Sequence, residues 1–167
     1  MPAEDESVSS DEFFMLWTLI AQTKDAILRA RQIDYMRYGI SNERRAILWI
    51  IQNNGGHSTP VEIARHFFRE VQSVTEMLKR MEADELVTRS KGSGKSKVEV
   101  RLTEKGLDVL NQSLYNKTDE RIFSVLSPKE RDQLASYLWR LRRKVMQDLG
   151  IPEWQIAFPV KPNSVKE

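Results

Sequence analysis

One segment of the chain, residues 89–101, has residue types that indicate a particular chemistry, and we call it the basic segment. It holds five Lys or Arg residues, a single acid, Glu99, and two glycines, Gly92 and Gly94. Lys and Arg neutralise phosphate oxygens, and Gly allows the backbone to pass close to a phosphodiester strand. The chemistry indicated is the electrostatic binding of a polyanion, although a solvated loop has the same composition. The predicted helices and strands beside the segment therefore determine whether it is interpreted as a polyanion-binding segment or as a solvated loop.

Catalytic and metal-binding chemistry is not indicated by the sequence. There is no Cys, and the two histidines, His57 and His66, are too few for a His-only metal site. The sequence lacks a Gly-rich loop that would cradle a phosphate, and its Asp and Glu residues are scattered over predicted helix surfaces. We therefore expect a protein that is not an enzyme and that holds neither a metal nor a cofactor.

Charge and hydropathy limit the partners that the chain can have. With 26 basic and 24 acidic residues the formal net charge is only +2, so polyanion binding must come from local patches. No apolar run approaches the ~20 residues of a membrane span, and the N-terminus is acidic where a secretory signal is basic. The 167 residues fit one domain with helical extensions. These features predict a cytoplasmic protein without membrane association.

Two predicted helices precede the basic segment. The first opens at residues 59–62 (TPVE), where a Thr cap, a Pro and a Glu three residues after the cap form a strong start signal. After a tight connection, a second helix carries Val74, Leu78 and Met81 on one face. We call it the reader helix, because its polar face has groups that match base edges in the ~12 Å major groove. Its predicted DNA contacts are Gln72, Ser73, Thr75, Glu76, Lys79 and Arg80.

A β-hairpin with a basic tip is predicted after the reader helix. Residues 86–89 and 98–102 have strand composition, and residues 90–97 join them. The helix pair alone also fits a generic helical packing unit, but the order helix, helix, hairpin is that of a winged helix-turn-helix. This context favours a wing over a solvated loop. The predicted wing contacts are Arg89, Lys91, Lys95, Ser96, Lys97 and Arg101.

Helical patterns flank this unit on both sides, so the predicted fold class is mainly α with a small β-hairpin wing. Residues 11–37 contain neither Gly nor Pro, with Ser10 as a cap, and a shorter helix follows over 42–52. After the hairpin, Thr103 caps a helix that continues past Phe123, and a capping box at 127–130 opens a last helix that ends near Leu149. Residues 1–9 are acidic and predicted to be flexible.

Bulky residues in the first and last helices face more directions than one small domain can cover. We expect a second subunit to bury these residues, and burial within one chain is the alternative. The predicted dimer-interface residues are Phe13, Phe14, Trp17, Ile20, Leu134, Leu138, Leu141 and Val145.

The aromatic residues Trp17, Tyr35, Tyr38, Trp49 and Trp139 either line a small-molecule pocket or belong to the plain core.

The layout resembles the MarR family of winged-helix transcription regulators over nearly the whole chain. Residues 62–65 (EIAR) resemble the family's third helix, 74–82 (VTEMLKRME) its recognition helix, and 102–106 (LTEKG) the segment after its wing. The Asp-x-Arg motif usual in the family's wing is replaced by residues 94–97 (GKSK), so wing contacts should be less directional. Phe68 and Glu85 stand where many members have Gly, so we expect these turns to be built differently or strained.

The resemblance implies a division of the chain and a function. Residues 10–38 and 104–149 would form a helical dimerisation module, 39–103 the winged helix-turn-helix, and 150–167 a tail whose Trp154, Ile156 and Phe158 are too apolar for a simple linker. The implied function is a sequence-specific double-stranded DNA-binding transcription regulator, a homodimeric repressor on a pseudo-palindromic operator that a small aromatic or anionic effector releases. Two alternatives stay open: a winged-helix protein–protein interaction module, and a small-molecule sensor without DNA binding.

Overall fold

The computed structural model describes residues 4–92, 98–114 and 117–152, and within these ranges the chain is mostly helical. The helices are α1 (Glu4–Tyr35), α2 (Asn42–Asn53), α3 (Pro60–Phe67), α4 (Val71–Ala83), α5 (Glu104–Ser113), α6 (Thr118–Phe123) and α7 (Pro128–Asp148). The strands are β1 (His57–Ser58), β2 (Val87–Lys91) and β3 (Val98–Leu102). The predicted fold class, mainly α with a small hairpin, is confirmed.

The helix starts follow the capping residues of the sequence. The Thr59 hydroxyl accepts a hydrogen bond from Glu62 N at 3.2 Å, and the Glu62 carboxylate accepts one from Thr59 N at 2.8 Å, which closes the predicted capping box of α3. Ser127 and Glu130 form the same arrangement at α7, and Thr103 caps α5. Each cap satisfies backbone N–H groups that the first helical turn leaves without partners.

Two predicted boundaries are wrong. Helix α1 begins at Glu4 and not after the predicted cap Ser10, because no Gly or Pro follows Pro2 before Gly39 and extending an existing helix adds one hydrogen bond per residue. The single helix predicted after Thr103 is divided: α5 ends at Ser113 and α6 begins at Thr118. Ser113 is buried and its hydroxyl donates to Leu110 O at 2.6 Å and accepts from Arg45 Nε at 3.1 Å, which anchors the end of α5 on α2.

The hairpin belongs to a three-stranded antiparallel sheet in the order β1-β3-β2. In β2 and β3, Val87 pairs with Leu102 and Lys91 with Val98. The two-residue strand β1, which the sequence does not predict, pairs Ser58 with Val100 on the other side of β3. Because β1 leads directly into α3, this pairing ties the first helix of the helix pair to the base of the wing.

One hydrophobic core lies under the helix pair and the sheet. Helix α2 runs through its middle, with Leu48 and Ile51 wholly inaccessible to solvent. The reader helix contributes Val74, Leu78 and Met81, as predicted from their spacing. Other core residues from every surrounding element are Tyr35, Ile40, Ile47, Ile50, Ile63, Ala64, Leu86, Val87, Val100 and Leu110. This packing fixes the reader helix relative to the wing.

Candidate nucleic-acid interface

Helix α4, the reader helix, presents the polar face that the sequence predicts. Gln72, Ser73, Glu76, Lys79 and Arg80 are exposed, and Thr75 is half-buried. The Thr75 hydroxyl donates a hydrogen bond to Val71 O at 2.8 Å, so its proton is used within the helix while its oxygen can still accept. The buried stripe on the opposite face prevents the helix from rotating about its axis.

The base of the wing is joined to the reader helix by an ion pair. The Glu82 carboxylate accepts hydrogen bonds from the Arg89 side chain at 2.8 Å and from Arg89 N at 3.0 Å. The bond from the Arg89 guanidinium holds the pKa of Glu82 below its ordinary value. Arg89 was predicted as a phosphate contact, but its guanidinium is partly buried and held by this carboxylate. Its position indicates a role in orienting the wing.

Two more of the predicted phosphate contacts are paired with acids. Lys79 Nζ lies 2.6 Å from the Glu76 carboxylate, and this hydrogen bond lowers the pKa of Glu76. Arg101 lies 2.5 Å from Glu99 on the same strand. The Lys79–Glu76 pair is exposed and the Arg101–Glu99 pair is partly exposed, so solvent screens both pairs and they can open at small cost. The carboxylates nevertheless reduce the local positive potential that a phosphate would meet.

Other predicted contacts are exposed cations or lie outside the described residues. Lys91 and Arg80 are exposed and form no ion pair with the described part of the chain. Lys95, Ser96 and Lys97 fall between the described ranges, so their predicted role at the wing tip stays a prediction. The tail residues Trp154, Ile156 and Phe158 also lie outside the described residues.

Sequence reasoning missed Arg65 on α3. It lines a surface cavity of about 370 Å³ beside the reader helix, whose other walls include the cap Thr59 and Pro60 of α3, Val71 and Thr75 of α4, and Val98 of β3. The helical spacing places residue 65 opposite the buried Ile63 and Ala64, which was a signal available in the sequence. The structure adds that this face borders the reader helix and the wing.

Known proteins match this geometry. The MarR family model matches residues 40–94. The organohalide-sensing transcriptional regulator RdhR-CbdbA1625 in its 2,4-dichlorophenol-bound form is 31% identical, with a TM-score of 0.73 and coverage of 86% of each chain. The chain belongs to the MarR family. This family consists of transcriptional regulators, and its members are not enzymes.

Further MarR-type structures share the fold. The ligand-free form of the same organohalide-sensing regulator is 28% identical, has a TM-score of 0.78 and matches 96% of this chain and 94% of that chain. A variant of E. coli MarR complexed with operator DNA is 21% identical, has a TM-score of 0.73 and matches 78% of this chain and 96% of that chain. No curated protein sequence matches the chain significantly.

Two residues of this MarR-family chain other than Gly have positive φ, one at each turn beside the reader helix. Phe68, between α3 and α4, has φ of 52°, and Glu85, between α4 and β2, has φ of 60°. Both residues therefore occupy the left-handed region that Gly adopts freely and other residues adopt at a cost of about 1 kcal/mol or more. Of the two expected outcomes, the strained turn is the one observed. The strain brackets the reader helix at both ends.

The predicted effector pocket of this MarR-family chain is not assembled within one subunit. Trp17 is exposed on α1 and lies eighteen residues before Tyr35, which at 1.5 Å per residue is about 27 Å along the axis. Tyr35 is buried in the core, and Tyr38 and Trp49 pack against it. Trp139 is half-buried under the Arg142 guanidinium. Within one chain, Tyr35 is a core residue with Tyr38 and Trp49 packed against the core, and the pocket that groups Trp17 with them stays a prediction.

The predicted dimer residues are exposed in the single chain, except one. Leu134 is half-buried, whereas Phe13 and Trp17 on α1 are 65% and 63% exposed. The other exposed residues of the predicted dimer interface are Phe14, Ile20, Leu138, Leu141 and Val145.

In the described part of the chain, no helix is long and apolar enough to cross a bilayer. Among the same residues, no three His, Asp or Glu side chains form a group that suits a metal ion.

Proposed function

We propose that the chain is a homodimeric repressor that binds a pseudo-palindromic duplex operator. The observation that carries the proposal is the fixed arrangement of an exposed polar reader helix and a wing base joined to it by the Glu82–Arg89 pair. Two such units related by a two-fold axis would place their reader helices in successive major grooves, about 34–36 Å apart. The cytoplasm is the proposed location, because the duplex must be accessible to the dimer.

Exposed apolar surface on the flanking helices supports the dimer. Phe13, Phe14 and Leu19 on α1 are each more than 60% exposed, and Leu141 and Val145 on α7 are more than 50% exposed. Contiguous apolar surface of this kind is unfavourable in water and usually marks an interface. Helix α1 contains 32 residues, about 48 Å of helix, and packs on α2 and α6 through its C-terminal part. A second copy would cover the remainder.

Release by a small aromatic or anionic effector is the finer part of the proposal. It is supported by the similarity to an organohalide-sensing regulator whose structure contains 2,4-dichlorophenol. A ligand that binds the free form more tightly than the DNA-bound form lowers operator affinity by the ratio of the two affinities. Because Trp17 is remote from Tyr35 within one chain, an effector site that includes both residues would require residues from two subunits.

The decisive experiment is footprinting on DNA flanking the coding region, followed by anisotropy titrations of the protected duplex. We expect protection of two half-sites on one face of the duplex and binding that weakens steeply with salt. Inserting about five base pairs between the half-sites should abolish dimer binding, because half a turn moves one half-site to the opposite face. A strictly monomeric protein, or a dimer with no salt-sensitive duplex affinity, would refute the proposal.

A further inference from the structure

We propose that Arg65, which lies outside the reader helix and the wing, binds a DNA backbone phosphate beside the reader helix. The inference rests on the proposed duplex binding and adds a residue from the first helix of the pair. Three observations support it: the position of Arg65 in a groove, its lack of a carboxylate partner, and the apolar walls beside it.

The groove runs along the junction of α3 and α4. Arg65, Val61 and Val71 line both of two adjoining cavities, one of about 370 Å³ and one of about 330 Å³. The larger cavity reaches Thr75 of the reader helix and Val98 of the wing. A strand contacted by both the reader helix and the wing must pass the mouth of this cavity. The flexible, exposed Arg65 side chain lies on the route of that strand.

The charge of Arg65 is available, unlike that of several neighbours. Arg65 is exposed and forms no ion pair within residues 4–92, 98–114 and 117–152. By contrast, Arg69 next to it lies 2.6 Å from Glu43, and Arg89 lies 2.8 Å from Glu82. A cation that need not leave a carboxylate contributes its full counterion release when it meets a phosphate.

The surroundings of Arg65 include both apolar and acidic groups. Val61 and Val71 are each about 40% exposed, and such low-dielectric walls focus the field of a nearby charge. Glu62 shares the larger cavity, but its carboxylate is engaged by Ser58 Oγ at 3.1 Å and by Thr59 N at 2.8 Å in the capping box. Glu70 lines the smaller cavity but not the larger one. The larger cavity, which reaches the reader helix, therefore holds one cation, Arg65, and one carboxylate, Glu62, that already accepts hydrogen bonds from Ser58 and Thr59.

The test measures how the affinity for the footprinted duplex changes with salt. Arg65→Ala removes one phosphate contact from each subunit, so the slope of log K against log salt should become shallower by about 1.8. Over a fourfold rise in salt, the variant should then lose about tenfold less affinity than the unmodified protein. The ratio of affinities for the footprinted and a scrambled duplex should stay unchanged, since a phosphate contact does not read the base sequence.

Control variants separate charge from structure. Arg65→Gln should reproduce the Arg65→Ala slope, and Arg65→Lys should keep the original slope because it retains the charge. Arg121→Ala removes an exposed Arg from α6, which packs on α1, and should leave the slope unchanged. The thermal midpoint of each variant shows whether it is folded. If Arg65→Ala is unfolded, Arg65→Gln replaces it in the comparison of salt slopes.

The possible outcomes distinguish this inference from the proposed function. If the unmodified dimer binds with a steep salt slope and both Arg65→Ala and Arg65→Gln keep that slope, the Arg65 contact is refuted while duplex binding stands. If the unmodified protein shows no salt-dependent binding to any duplex, both proposals fail. A slope reduced by Arg65→Ala but also by Arg65→Lys would overturn the phosphate contact, because charge would not be the cause.

Discussion

Replacing Gly106 by Ala should be among the most destabilising small changes in the chain. Gly106 lies in the first turn of α5, against the backbone that leads from the reader helix into the wing. A Cβ atom at this position would lie 2.0 Å from Leu86 O and 3.0 Å from Leu86 C. Non-bonded heavy atoms rest at about 3.5 Å or more, so the helix or the strand would have to move by about 1.5 Å.

The backbone of Leu86 cannot make this movement freely. Leu86 N donates to Met81 O at 2.9 Å, and Leu86 O accepts from Thr103 N at 3.3 Å. Thr103 in turn caps α5 through Gly106 N at 2.9 Å and donates its hydroxyl to Glu85 O at 2.6 Å. Breaking two of these bonds costs about 1 kcal/mol each, and overpacking adds about 1–3 kcal/mol. The higher helix propensity of Ala offsets at most about 1 kcal/mol of this cost, so the free energy of unfolding should fall by about 2–4 kcal/mol.

Urea unfolding at fixed protein concentration measures this loss, because the proposed dimer would make the midpoint concentration-dependent. With an m-value of about 2 kcal/mol/M, the midpoint of Gly106→Ala should fall by about 1–2 M. Gly39→Ala is the matched control: Gly39 has φ of 66° and nothing lies within 4 Å of its added Cβ. It should cost only about 1 kcal/mol, from the backbone conformation alone. Equal losses in the two variants would refute the steric argument.

Three further changes test the wing base, a strained turn and the dimer face. Glu82→Gln should cost about 1 kcal/mol or less at neutral pH, because the pair is partly exposed, and should reduce discrimination between operator and scrambled duplex. The pKa of Glu82 is lowered in the folded protein, so the stability that the Glu82–Arg89 pair contributes is present above the unfolded pKa of about 4.3. This stability is lost as the pH falls through the folded pKa, and urea unfolding at several pH values would detect the loss. Glu85→Gly should raise stability by up to about 1 kcal/mol by relieving φ of 60°, whereas an unchanged midpoint would show that the turn is not strained. Leu141→Asp should yield monomers in sedimentation velocity, with total Trp emission shifted to the red because Trp17 becomes exposed to water, and an intact dimer would remove α7 from the interface.

The sequence predicted the elements whose ends carry chemical signals. Thr59, Thr103 and Ser127 cap helices because their hydroxyls accept backbone N–H groups, and this requires only local spacing. The buried stripe of the reader helix was equally readable, since a 3.6-residue period places its members on one face. Strand β1 could not be predicted in the same way, because two residues carry no periodicity and the pairing of Ser58 with Val100 depends on tertiary packing.

The site was predicted less completely than the fold. The reader face follows from periodicity, but the pairing of Glu82 with Arg89 joins a helix to a strand across a turn, so the distance cannot be read from spacing. The separation of Trp17 and Tyr35 is different, because both lie on one predicted helix and their distance follows from its rise per residue. Turn geometry at Phe68 was hidden for a different reason: the residue type argues against positive φ, and only the surrounding packing imposes it.

The acids interleaved with the cations determine how this chain must bind a polyanion. Lys79, Arg89 and Arg101 each have a carboxylate within 2.8 Å, and the formal net charge is only +2. Because electrostatic affinity grows with the number of phosphates neutralised, the winged-helix unit of one subunit, with few available cations, should bind a duplex weakly. In the proposed dimer, binding by the second unit is intramolecular, which raises its effective concentration without any new contact. Selectivity for a site with two correctly spaced halves then follows from the weak binding of each unit. Making each unit more basic should weaken that selectivity even as total affinity rises.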